Sequence, residues 1–488
     1  PPRSIQNCQP GRLSRGRVIV GYHSMMTRET TVLYTLLAYN VLLIGIGVWA
    51  SRRNRDAHDF LLAGGKLGGW VAGLSASASS SSAWTLLGVS GAAYAWGISA
   101  LWLFPATLGG FLLNWLVIAP RLRRLAREGG ELTLSEVVLP ASLGTARLPL
   151  LRVSALIICF CFLFYIAAQF DGAGKAFAAN FGWSQEASVL IGAGIVMLYT
   201  LVGGFWAVSV TDALQALAMM LVAVVLPVVA VAAASATPAA WDAALSGSIV
   251  RDQPGVLGIA FVLGTLGIGL GYPGQPHVVN RFMALSDEAA LRRGRAIAIG
   301  WALVVYTGML ALGLAARALY ATVPDGEQAL FVAASALLPP VIGGVALAAV
   351  LSAIMSTADS QLLAAAAAVA HDWRGENASA EDAPRLARVV VIALASTATA
   401  IALFVPADIF SRVLFAWHAL GSAFGPLLVA RLCDWQLTPS ATLAVLLGGF
   451  GLTVVANALP NTPGDWVERL LPLGVALSIA FTTRRRAA

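Results

Sequence analysis

The chain has 488 residues, 58% of them hydrophobic and only 11% charged, with a mean hydropathy of +0.78. Soluble domains carry roughly 25% charged residues, so a soluble globular protein is excluded. Apolar stretches long enough to span a bilayer recur along nearly the whole chain, which makes it an integral membrane protein with no folded extramembrane domain. The net charge of +7 comes from basic residues in alternate loops, so it reports orientation and not nucleic-acid binding.

Residues 1–24 come first and lack the apolar core of a signal peptide. They hold Arg3, Arg12, Arg15 and Arg17 on the side where other loops are poor in basic residues. Met25 or Met26 is the natural start, so residues 1–24 are expected to be non-native or disordered. Residues 25–488 are then one transmembrane domain.

Thirteen spans are predicted, at about residues 32–51, 68–96, 99–120, 150–173, 186–202, 206–234, 256–280, 296–320, 329–370, 389–406, 410–430, 439–458 and 467–483. Basic residues mark one side: Arg52, Arg53, Arg55 and Lys66, then Arg121 to Arg152, then Arg281, Arg292, Arg293 and Arg295. Arg374, Arg385, Arg388, Arg431, Arg484, Arg485 and Arg486 continue the same side. By the positive-inside rule the C-terminus is cytoplasmic and the N-terminus outside, in a plasma (cell inner) membrane. Cys8, Cys159, Cys161 and Cys433 have neither a C-x-x-C pair nor zinc-ligand spacing and are expected to pack.

The second span contains "SASASSSSAW", residues 75–84, and the seventh contains "LGTLGIGLGYPGQPH", residues 263–277. Serine competes for backbone hydrogen bonds, and glycine and proline are poor helix formers. Two readings are open: close helix packing through small residues, or helices interrupted at a binding site. The paired prolines favour interruption, and the five-span separation is that of a five-helix inverted repeat.

Between these two runs lies "FYIAAQFDGAGKAF", where Gln169 gives the Tyr165 helix a polar face. In "GGFWAVSVTDALQ", residues 203–215, Asp212 reads either as a helix N-cap or as a cation ligand. In "SAIMSTADSQLL", residues 352–363, Ser356, Asp359 and Ser360 share one helical face, with Thr357 beside them. A mid-span carboxylate costs roughly 2.5 to 3.5 kcal/mol on insertion scales. No basic residue is near Asp359 in sequence, so a bound hard cation is the expected partner.

With these stretches on the page, the chain resembles the sodium:solute symporter family, most closely its sodium/proline branch. The resemblance rests on "DFLLAGGKLGGWVAGLSASASSSSAW", "GGFWAVSVTDALQ", "LGYPGQPHVVNRFM" and "MSTADSQLL", in family order within about residues 30–435. It implies an all-α, LeuT-like membrane fold with a five-plus-five inverted-repeat core at about residues 68–430. It also implies alternating access and sodium-coupled symport of a small organic solute, an amino acid such as proline, with no catalysis. The implied partners are solute, sodium and membrane lipid, with no nucleic acid and no obligate protein partner.

Carried over position by position, the resemblance implies a first sodium site of Ala78, Ser81, Ala353, Ser356 and Thr357. A second cation site would use Asp212, Ser356, Asp359 and Ser360. Solute would meet Ser82, Ala83, Trp84, Tyr165, Tyr272 and Gln275. Two positions depart from the proline branch: Ser80 stands where that branch has an aspartate, and Ile268 where it has a tryptophan. Two other readings are a membrane metabolite sensor built on a symporter-like domain and a proton-coupled porter using Asp212 or Asp359. A serine hydrolase is disfavoured, since the serine run has no G-x-S-x-G elbow.

Overall fold

A computed structural model describes residues 15–51, 62–202, 205–374, 383–405 and 407–486. Of the expected non-native segment, residues 1–14 lie outside the described residues, and residues 15–24 are part of the first helix. Arg52, Arg53 and Arg55 also lie outside them.

Backbone in hydrocarbon must satisfy its own hydrogen bonds, and this chain does so as helices. They are α1 (Arg15–Ser51), α2 (Gly69–Ser80), α3 (Val89–Trp96), α4 (Leu103–Leu112), α5 (Ala119–Gly129), α6 (Leu134–Val138) and α7 (Arg147–Phe181). There follow α8 (Gln185–Val202), α9 (Phe205–Ser235), α10 (Pro238–Leu245), α11 (Gly255–Gly267), α12 (Pro276–Met283) and α13 (Glu288–Leu319). The last are α14 (Ala329–Leu337), α15 (Pro340–Ala367), α16 (Ala383–Phe404), α17 (Ile409–Leu432), α18 (Pro439–Asn457) and α19 (Trp466–Thr483).

Both expected interruptions are present. Helix α2 stops at Ser80, Ser81 leaves helical geometry at φ −120° and ψ 84°, and the chain resumes through a π-helical turn, Trp84–Gly88, into α3. Helix α11 gives way to a 3-10 stretch, Ile268–Gly274, and Gln275 is extended at φ −94° and ψ 101°. Pro276 then starts α12 at the first helical position, where its missing N–H costs nothing. Helix α17 runs beside this second break so closely that a Cβ on Gly274 would lie 2.6 Å from the Gly421 Cα. Glycine is required there by backbone contact.

Among the described residues, ten stretches are long and apolar enough to cross a membrane, against the thirteen spans expected. The second and third expected spans run together as Trp84–Gly129, and Gln185–Leu201 is a shorter apolar helix. Helix α19 carries Glu468, Arg469 and Pro472 and is not among the ten. The long 329–370 stretch is also divided, into α14 and α15, by the Pro339–Pro340 pair.

Small residues let α15 sit at the centre, where almost every side chain from Gly343 to Ala367 is buried. The basic loops expected on one side do meet. The Leu67 amide donates to the Ala284 carbonyl at 3.0 Å and Arg123 Nε to the Leu285 carbonyl at 3.1 Å. Arg152 Nε reaches the Trp373 carbonyl at 3.2 Å, and strands β1 (Trp435–Gln436) and β2 (Arg485–Arg486) pair antiparallel. Arg281 is the correction: it is no loop arginine, its side chain being 1% exposed within the helical core.

Candidate functional site

The end of α2 and the middle of α15 bring the first set of predicted residues together. Ser356 Oγ lies 3.3 Å from the Ala78 carbonyl and 3.3 Å from that of Ala353. Thr357 Oγ1 lies 3.5 Å from the Ala78 carbonyl and 3.2 Å from that of Ser79. The break at Ser81 frees carbonyls that would otherwise be held in an α2 continuation, and Ser81 itself donates its amide back to Ala78 at 3.1 Å. These are uncharged hard oxygens, all buried, at spacings that suit the edges of a shell around a hard monovalent cation.

The acids of the second set sit one turn away. Asp212 is not an N-cap: it lies two turns into α9, fully buried, and its Oδ2 accepts from Ser75 Oγ at 2.7 Å and Ser79 Oγ at 3.1 Å. The same oxygen accepts from Arg281 Nη2 at 2.9 Å, and that nitrogen also donates to Ser360 Oγ at 2.5 Å. Arg281 Nε donates to Ser75 Oγ at 3.1 Å. For Asp212, read as an N-cap or a cation ligand, the partner is thus an arginine distant in sequence. Asp359 has no ion pair among the described residues: its Oδ1 accepts from Ser360 Oγ at 3.3 Å, and its Oδ2, like Asp212 Oδ1, has no partner among them.

Beyond the α2 break lies a cluster of aromatic side chains. Ser82 Oγ accepts from the Trp84 amide at 3.1 Å and from Tyr165 OH at 3.5 Å. The Ala83 amide donates to Gln169 Oε1 at 2.9 Å, so the polar face of α7 holds the broken strand in place. Tyr272 packs edge-on against Trp417 with centroids 4.6 Å apart, and its hydroxyl meets that of Tyr306 at 3.1 Å. Gln275 Nε2 donates to the Trp417 carbonyl at 2.9 Å and the Gly271 carbonyl at 3.0 Å. Gln275 Oε1 and Trp84 Nε1, like Ser81 Oγ and both ring nitrogens of His277, are buried polar atoms without partners among the described residues.

The two departures have local accounts. Ser80 Oγ donates to the Ser77 carbonyl of its own helix at 3.1 Å. Ile268 is buried, and its carbonyl accepts from Trp417 Nε1 at 3.3 Å, which fixes the ring that walls Tyr272.

An ionic cluster around Lys175 and Glu327 lies next to Trp84. Phe410 packs on Trp84 with centroids 5.6 Å apart. Glu327 accepts the backbone amides of Ile409 at 3.2 Å and Phe410 at 2.9 Å and pairs with Lys175 Nζ at 2.5 Å. Lys175 also meets Asp325 at 2.7 Å and Asp171 at 3.7 Å.

Sequence reasoning did not single out Arg281, Tyr306, Trp417, Phe410 or the Lys175–Glu327 pair as site residues. Their contacts span long sequence separations, and only Arg281 carried a local signal, a lone charge within the apolar helix "PHVVNRFM".

Comparison with known proteins gives the same picture. The family profile described as the sodium:solute symporter family matches residues 60–449. The sodium/proline symporter of Escherichia coli (strain K12) is 32% identical over 446 residues, covering 88% of each chain. The osmoregulated proline transporter OpuE of Bacillus subtilis (strain 168) is 32% identical over 458 residues, covering 92% of this chain and 93% of its own. Among solved structures, a substrate-bound, outward-open Na+-coupled sialic acid symporter superposes with a TM-score of 0.75 at 17% identity, over 94% of this chain and 99% of its own. Mhp1, a nucleobase-cation-symport-1 family transporter in a closed conformation, gives 0.55 at 13% identity, over 87% and 93%. The last two establish the LeuT-like fold, and with the sequence matches they show that this chain belongs to the sodium:solute symporter family: a membrane transporter that couples an organic solute to sodium, and not an enzyme.

Proposed function

We propose that the solute is a zwitterionic amino acid, proline in the first instance. The observation that carries this is one donor, Trp84 Nε1, and one acceptor, Gln275 Oε1, on the two broken segments, both buried without partners among the described residues. A carboxylate accepts from Trp84 Nε1 and an ammonium group donates to Gln275 Oε1, which relieves the cost of two buried polar groups left unmade. The aromatic walls of Tyr165, Tyr272 and Trp417 then cover the ring carbons. The names of the 32%-identical relatives agree with this choice.

In this reading sodium binds among Ala78, Ser81, Ala353, Ser356 and Thr357, joining α2 to α15 while the outer side is open. The same break in α2 carries Ser82, Ala83 and Trp84, so ion binding sets the solute face in position, and solute lets Phe410 close. Each inward charge supplies about 2.3 kcal/mol per 100 mV of membrane potential. Asp359 favours a second cation, since its Oδ2 is buried without a partner. Asp212 and Ser360 join that site only when Arg281 moves away from them. The arginine-rich face is cytoplasmic, as is the C-terminus.

Uptake of labelled proline into proteoliposomes tests the reading. A sodium gradient should drive accumulation that choline does not replace, and excess unlabelled proline should abolish it. Flux that follows a pH gradient and ignores sodium would select proton coupling instead. Competition by other amino acids but not by proline would overturn the choice of solute. A C-terminal tag digested only in inverted vesicles checks the orientation.

A further inference from the structure

We propose that Glu136, His371 and Asp372 form a binding site for a divalent transition-metal ion, zinc by the chemistry of the donors. The site lies on the arginine-rich face, away from the sodium and solute residues. One ligand atom from each of the three side chains lies within 4.8 Å of the others. His371 Nε2 is 3.1 Å from Glu136 Oε1, and Thr133 Oγ1 donates to Asp372 at 2.9 Å and 3.1 Å, one carboxylate oxygen each.

Charge makes the case. Asp372 is 1% exposed, and among the described residues no lysine or arginine makes a salt bridge with it. Glu136 is also largely buried, and besides His371 it meets Arg147 Nη2 only at 3.9 Å. A buried carboxylate is costly unless a cation or proton compensates it. Two carboxylates and a neutral imidazole balance a dication.

The donor set selects among metals. An imidazole with two carboxylates suits zinc, whereas calcium and magnesium favour all-oxygen shells. The local fold presents these donors together. Thr133 caps α6, accepting the Glu136 amide at 3.2 Å, and α15 continues into a π-helical turn, Ala368–Asp372, that carries the other two ligands. Such widened turns are frequent at functional sites.

A metal here pins α6, in the connection between α5 and α7, to the far end of the helix that holds Ser356 and Thr357. His371 lies about 20 Å along that helix from Thr357. Alternating access needs α15 and its neighbours to move relative to one another, so zinc on this face slows transport. The effect on transport rests on the symport reading above; the binding does not.

The test uses the full chain in nanodiscs, stripped with a chelator and titrated with zinc against a chromogenic competitor. We expect one ion bound, with His371→Ala weakening it by at least about tenfold, the loss that even an outer-shell partner causes. Asp372→Asn, nearly isosteric, should do the same, and unchanged melting curves before zinc addition show that both variants fold. No zinc binding, or equal binding in His371→Ala, would overturn the site, and tighter binding of calcium than zinc would overturn the imidazole's role. In proteoliposomes zinc should slow sodium-driven uptake by the parent and spare His371→Ala; equal inhibition of both would overturn the clamp. Absence of sodium-driven uptake in every variant would instead fault the symport reading, with the binding result unaffected.

Discussion

Arg281 Nη2 donates to Asp212 Oδ2 at 2.9 Å, with the two side chains 1% and 0% exposed. The guanidinium also holds Ser75, Ser360 and the His277 carbonyl, so α2, α9, α12 and α15 meet on one fixed cation inside the membrane. Like the proposed sodium site beside it, this contact joins α2 to α15.

Breaking that pair from one side should be costly. Arg281→Gln leaves Asp212 buried and uncompensated, a loss of about 3 to 5 kcal/mol. The double variant with Asp212→Asn should recover much of it, because no charge is then stranded. Melting temperatures of the purified variants measure this, and a double variant no more stable than Arg281→Gln would contradict it. Arg281→Lys should not rescue, since one ammonium group cannot reproduce the forked contacts to Asp212, Ser360 and Ser75.

Removing one oxygen from the proposed first sodium site should raise the sodium concentration needed for half-maximal uptake. Ser356→Ala and Thr357→Ala each lose a donor worth about 1.5 to 3 kcal/mol, or roughly ten- to over hundredfold in affinity. Trp84→Ala and Tyr272→Ala should instead raise the solute KM and leave sodium activation nearly unchanged. Initial rates measured over a grid of sodium and solute concentrations separate the two classes.

Glycine contacts provide a contrast of cause. A Cβ on Gly110 would fall 2.2 Å from Tyr272 Cδ2, and that ring is held by Trp417 and Tyr306, so Gly110→Ala must tilt it. We expect a correctly folded protein with a solute KM raised about tenfold, the strain being of the order of 1 to 3 kcal/mol. Gly274→Ala meets backbone at Gly421 instead and should reduce the yield of folded protein.

The ionic cluster around Lys175 should respond unequally. Glu327→Gln removes one partner of Lys175 but leaves Asp325 at 2.7 Å, so the cost should be modest, about 1 to 2 kcal/mol. Lys175→Met leaves Asp171, Asp325 and Glu327 facing one another and should cost more. Both should loosen Phe410 from Trp84 and speed solute release, measured as efflux of bound label on dilution.

Much of the site was legible because its signals are local. The serine run and the glycine–proline run predict breaks from residue-level conformational preference alone, and both breaks occur there. Ser356, Thr357, Asp359 and Ser360 read as one face because three- and four-residue spacing is a property of any helix. Span boundaries were less legible: a turn at Gly97, with φ at +60°, separates the second and third expected spans, yet helical geometry carries on around it.

By itself the sequence determined that the chain is a helical membrane protein, where its helices break, which loops share a face and which family it belongs to. These follow from hydropathy, backbone preference and motif order, all written along the chain. Only the tertiary structure decided that Arg281 serves Asp212 and not a loop, that Asp359 keeps an unpartnered oxygen, and that Glu136 meets His371 across 235 positions. Ionic and hydrogen-bond partners are chosen by distance in a low-dielectric interior, where an unpaired charge is expensive. That distance is set by how helices pack, which sequence order does not record.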